Sequence, residues 1–177
     1  KTCTRWRTHA TSSSSATTCS IPGERVSVDQ LVSPTPGLIA QISGGLTTQR
    51  YKYATVYIDH YSRYCFVHMQ KTASVQETLE GKVLFERLCT NQGVHIQAYH
   101  ADNGVFAERV FREEVEDSNQ TITFCAVGAH HQNGIVERHI QTLTHGARTN
   151  LLHAQRRWPE AIGTILWPFA WRDFERR

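Results

Sequence analysis

Three acidic residues stand where a carboxylate needs a reason. Asp29 lies inside "VSVDQL", a β-rich alternating segment, and an aspartate in a strand has low β-propensity and pays for burial. Asp102 follows the strand-like run "VHIQAYH" and opens the turn signal Asp102-Asn103-Gly104. Glu137 comes just after the turn dipeptide Asn133-Gly134, in the first turns of an amphipathic helical pattern. Taken alone, Glu137 is adequately explained by the preference of acids for a helix N-terminus. Three carboxylates at one point are different. They repel unless cations neutralise them, and Mg²⁺ prefers such hard oxygen ligands together with substrate phosphate. Two such ions about 4 Å apart can clamp the attacking and leaving oxygens of an in-line phosphoryl transfer.

The surrounding elements must bring these acids together. The pattern predicts a strand over 24–32, a Pro/Gly loop over 33–45, and a hairpin of strands at 51–61 and 63–70. A helix follows over 74–93, with Ser74 and Glu77 as a capping box and Val75, Leu79, Leu84 and Leu88 as its apolar face. A strand at 94–102, a short helix at 107–118 and a strand at 121–127 come next. A long helix spans about 134–153, with Val136, Ile140, Leu143, Ala147 and Leu151 as its stripe. Glu137, Gln141, Thr144, His145 and Arg148 lie on another face of it. A last helix begins at 158, and Pro168 is expected to kink or end it. Three strands able to pair antiparallel, then alternating helix and strand, imply an α/β mixed sheet flanked by helices.

Composition bounds the rest. The 177 residues suit one domain, with an aperiodic Ser/Thr-rich arm at 1–22. The chain does not begin with Met and reads as a piece of something longer, and no apolar run reaches membrane-spanning length. Five cysteines without dense spacing fit a reduced, intracellular setting. Cys3, His9 and Cys19 lack the pair spacing of a zinc site. The net charge of +3 hides an uneven distribution. Residues 138–177 carry seven arginines against three acids, while 101–120 carry two arginines against six acids. An acidic patch beside a basic flank suits a metal-dependent nucleic-acid enzyme.

Four stretches carry a resemblance: "VSVDQL", "YIDHYSRY", "HADNGVF" and "HHQNGIVERHIQTLTHGARTNLL". Over roughly residues 23–171 the chain resembles the catalytic core of a retroviral-type integrase, most of all those of Copia-like LTR retrotransposons. The resemblance implies a ribonuclease H-like five-stranded sheet, three antiparallel strands then two parallel, flanked by helices. It implies a core over 23–155 with a helical extension at 156–177. It implies a D,D,E triad at Asp29, Asp102 and Glu137, serving as catalytic residues and as ligands of two Mg²⁺ or Mn²⁺ ions. Asn103, Gln132, Asn133, Arg138, Gln141 and Arg148 are the residues expected to touch DNA.

The implied reaction is 3′-end processing of element DNA and strand transfer into host DNA. The implied setting is a Pol polyprotein, a homo-oligomer and a host nucleus or cytoplasmic virus-like particle. The gap between Asp102 and Glu137, positions 103–136, is one residue shorter than is usual in the family. Gln141 stands where an arginine is common. An inactive or domesticated nucleic-acid-binding relative of the same fold, and an RNA/DNA-hybrid nuclease, are the alternatives. Asp59 in "YIDHYSR" is the rival for the first acid; the need for convergence favours Asp29, and a turn-initiating role accounts for Asp59.

Overall fold

The structure is a computed structural model, and it describes residues 19–41, 47–125, 133–160 and 163–175. Most of the arm at 1–22, and Gln132, lie outside the described residues.

Five strands form one sheet in the order β3-β2-β1-β4-β5. β1 is Val26–Gly37, β2 Tyr51–Asp59, β3 Cys65–Gln70, β4 Ala98–Ala101 and β5 Thr121–Phe124. β3, β2 and β1 pair antiparallel, while β1, β4 and β5 run parallel. This is the mixed sheet expected from the order of the elements. Helices α1 (Val75–Thr90), α2 (Arg109–Asp117), α3 (Gly134–Arg157) and α4 (Trp167–Glu175) complete the fold.

Alternation along the strands divides the core in two. Val26, Val28, Tyr57, Tyr99 and Ala101 pack with Val75 and Phe85 of α1 and with Phe111 and Val115 of α2. Ala54, Val56, Ile58, Val67 and Met69 face the other way, onto Val136, Leu143 and Ala147 of α3 and Trp167 and Trp171 of α4. Ser27 and Asp29 therefore point to the α3 side, because their neighbours Val26 and Val28 belong to the α1 side.

Several local expectations are corrected. The run 33–37 is not loop; β1 continues through it, past a register break between Val32 and Gly37. Pro34 and Pro36 are tolerated because β4 pairs with β1 only at Val26 and Ser27, so this end of β1 has an open edge. On α1 Val75 is buried as expected and Leu79 packs part-buried against the core, but the rest of the buried face is Thr78, Gly81, Lys82, Phe85 and Cys89, and Leu88 is exposed. Lys82 is fully buried because its ammonium pairs with Glu86 at 3.2 Å and donates to Ser118 Oγ at 3.3 Å. The capping box is one-sided. Ser74 Oγ accepts from the Glu77 N–H, but the Glu77 carboxylate accepts from Lys71 and Thr72 instead. Pro168 begins α4 rather than ending it; at a first turn its missing N–H costs nothing.

Candidate active site

The parallel pairing of β1 and β4 aligns Ser27 with His100. Two residues further along each chain come Asp29 and Asp102, on the same face as that pair. Asp29 lies within β1, where its Oδ1 accepts the Gln30 N–H at 2.8 Å. Asp102 is the first residue past β4, and it accepts the Gly104 N–H at 3.2 Å, an Asx turn that starts the following loop. Asn103 Nδ2 donates to Cys125 O at 3.2 Å, which ties that loop to the end of β5.

Glu137 arrives from α3, whose start is anchored to the sheet. Asn133 precedes the helix, is 3% exposed, and donates through Nδ2 to Val28 O at 3.1 Å. Only the NH₂ end of the amide can face a carbonyl, so this orientation is set by chemistry. Its Oδ1 is buried with no hydrogen-bond partner among the described residues. The expectation that the Asn133 side chain contacts DNA is corrected on this evidence: it is inside the protein, bonded to the residue before Asp29.

Cys125 lies just past β5, on the same face of the sheet. Burial pushes its thiol pKa up, and the charges of Asp102, Glu137 and Asp29 push it further. All three acids thus lie within electrostatic reach of one side chain. Cys125 Sγ is also 3.5 Å from His100 Nε2. On the other side of the ring, His100 Nδ1 is 2.9 Å from Thr123 Oγ1, which itself donates to Tyr99 O. With the Thr123 hydroxyl directed at Tyr99 O, His100 Nδ1 is placed to donate to Thr123, and Nε2 faces the thiol. Alternation along the strand puts His100, two residues before Asp102, on the same face as that acid, whereas Cys125 sits in an apolar run and carries no local signal.

Asp59 has a different fate. It is fully buried, accepts the Gly23 N–H at 2.9 Å, and accepts both the backbone N–H and the hydroxyl of Ser62 at 2.6 Å. Its carboxylate builds a corner and is not directed to the other acids. Arg138, Gln141 and Arg148 are exposed along α3, on the solvent side of the helix that carries Glu137.

The donor set fits a hard divalent cation: three carboxylates, on three separate elements, facing one side of the sheet. Among the described residues no group of three or more His, Cys, Asp or Glu is drawn close enough to form a ready-made metal cage.

The sheet order, the parallel β1–β4–β5 half and the flanking helices define a ribonuclease H-like fold of the integrase-core type. The chain is similar to a chain of the simian T-cell lymphotropic virus intasome in complex with the PP2A regulatory subunit B56 gamma, with a TM-score of 0.59 and 15% identity over 85% of this chain and 48% of that one. It is similar to the HTLV-2 integrase catalytic core domain in complex with magnesium. For the trimeric form the TM-score is 0.57 at 17% identity, covering 86% of this chain and 82% of that one. For the dimeric form it is 0.56 at 16% identity, covering 85% of each. This chain thus spans about half the length of the intasome chain. No protein-family model matches the sequence, and no curated protein matches it.

Proposed function

We propose that this chain is the catalytic core of a retrotransposon-type integrase. It acts as a metal-dependent polynucleotidyl transferase that trims the 3′ ends of element DNA and joins them to target DNA. What supports this reading is that Asp29, Asp102 and Glu137, carried by two parallel strands and one helix, all lie within electrostatic reach of Cys125. The integrase-core fold supports it, and so does the magnesium bound by the HTLV-2 core.

Asp29, Asp102 and Glu137 would hold two Mg²⁺ or Mn²⁺ ions, which supply Lewis acidity and charge neutralisation at the reacting phosphate. The chain's own work is positioning. It supplies no nucleophile; the attacking oxygen belongs to water in processing and to a DNA 3′-hydroxyl in joining. The Asx turn at Asp102 and the Asn103–Cys125 bond fix the loop after β4. Asn133 fixes the start of α3 and hence the height of Glu137 over β1. Arg138, Gln141 and Arg148 continue outward along the exposed face of α3, a track for the phosphate backbone. Asn103 is exposed beside Asp102 and faces the same substrate. The setting that follows is a Pol polyprotein product working as a homo-oligomer on DNA in the host nucleus.

The test is a strand-transfer assay with Mg²⁺ or Mn²⁺ on oligonucleotides bearing candidate element ends. Glu137→Gln should abolish cleavage and joining while leaving the thermal unfolding midpoint within a few degrees of the parent chain. Full activity in that variant sinks the assignment. DNA binding without any turnover in the parent chain would favour an inactive, domesticated binding module. Cleavage of RNA/DNA hybrids without joining would favour a nuclease.

A further inference from the structure

The corner before β1 is built around a carboxylate that the triad does not use. Asp59 accepts from Gly23 and twice from Ser62. The His60 N–H donates to Arg25 O at 2.9 Å, and the Arg63 N–H donates to Asp59 O at 3.0 Å. These bonds hold Arg25 and Arg63 to either side of His60.

Arg63 sits in left-handed backbone, with φ of 61°. Glycine adopts that region freely and asparagine tolerates it, whereas arginine is strained there. The other non-glycine residue in this region, among the described residues, is Asn119. The turn itself is therefore better served by another residue type, and the guanidinium is what arginine adds. Arg63 is exposed, and neither it nor Arg25 makes an ion pair or a side-chain hydrogen bond among the described residues.

Among the described residues no acid forms an ion pair with either guanidinium, although Glu24 feels the charge of Arg25. The Asp59 carboxylate is turned inward. Glu24 is directed at Ser20, accepting its N–H at 2.6 Å and its hydroxyl at 3.0 Å. His60, bonded to Ser27 Oγ at 2.8 Å, is held uncharged at neutral pH: burial, then Arg25 and Arg63, push its pKa down to about 4. The corner lies at the start of β1: Asp59 pairs with Val26, and His60 bonds Ser27, which shares a face with Asp29 two residues further on. Guanidinium forks match phosphate oxygens and stay charged at any working pH.

We propose that Arg63, with Arg25 beside it, is a phosphate-binding corner that takes the sugar-phosphate backbone of DNA on its way to the Asp29–Asp102–Glu137 face. This deepens the polynucleotidyl-transferase reading and rests on it.

Binding of a fluorescent duplex oligonucleotide, followed by anisotropy in EDTA over a series of salt concentrations, tests the corner without any turnover. Arg63→Gly removes the charge and relieves the strained backbone. It should weaken binding about tenfold and reduce the salt slope by about one, without lowering the thermal midpoint. Arg63→Lys should retain affinity within about threefold and keep the slope, since a lysine still contacts phosphate as a point charge. Arg63→Gly binding like the parent chain, or Gly and Lys variants weakened equally, overturns the corner alone. A parent chain that binds no duplex at all overturns the functional reading and the corner with it.

Discussion

Asn133 Nδ2 lies 3.1 Å from Val28 O, across 105 residues of sequence. One partner precedes the first acid by one residue, and the other precedes Glu137 by four. The bond sets the spacing between the strand that carries Asp29 and the helix that carries Glu137.

Asn133→Ala should therefore act on the site before it acts on the fold. Losing a buried hydrogen bond and leaving the Val28 carbonyl unpaired costs about 2 kcal/mol, read from urea unfolding. Mn²⁺ affinity, measured by electron paramagnetic resonance, should fall about tenfold or more, the usual effect of removing a group that orients a ligand. Unchanged Mn²⁺ affinity would mean that α3 is seated by its apolar stripe alone.

Asp29 and Asp59 should separate cleanly. Asp59 is fully buried and satisfies three donors, so Asp59→Ala should cost about 3 kcal/mol or more in urea unfolding. Asp29→Asn should leave stability nearly intact and abolish Mg²⁺-dependent strand transfer. The reverse pattern would hand the first-acid role to Asp59.

His60 makes stability depend on pH. Its folded pKa is pushed from 6.5 to about 4, by burial first and then by Arg25, Arg63 and His100. The unfolded chain thus takes up this proton more readily than the folded one. The contribution of His60 is complete above its ordinary pKa of 6.5 and is lost as pH falls toward 4. His60→Gln, which keeps a polar partner for Ser27, should flatten the decline in thermal midpoint across that window. An unchanged pH profile would show that the ring gains no protection from its surroundings.

Gly37 permits α4 to seat on β1. A Cβ there would lie 2.3 Å from Pro168 Cγ and 2.7 Å from Trp167 Nε1, the atom that donates to Thr35 O at 2.8 Å. Gly37→Ala should lose about 2 kcal/mol and shift tryptophan fluorescence toward that of exposed indole. Wild-type fluorescence and stability would show that the proline ring and indole yield without cost.

The order of elements, the mixed sheet and the apolar stripe of α3 were legible in the sequence, because periodicity and turn dipeptides are local signals. Val136, Leu143 and Ala147 are buried as their spacing requires. The candidate acids were legible too, since an aspartate inside a strand and an Asp-Asn-Gly turn after another mark themselves out. What the sequence could not contain was any property that depends on neighbours distant along the chain. Lys82 is buried because Glu86 and Ser118 meet it, against the leucine-based reading of α1. Pro34 and Pro36 remain in a strand because no fourth-strand partner reaches them. Asp59 is a scaffold because Gly23 and Ser62 surround it. Asn133 is a latch because Val28 O waits beneath it. Local pattern determined which residues are candidates. Tertiary packing, by supplying or withholding partners for each polar group, decided which of them face the site and which hold it in place.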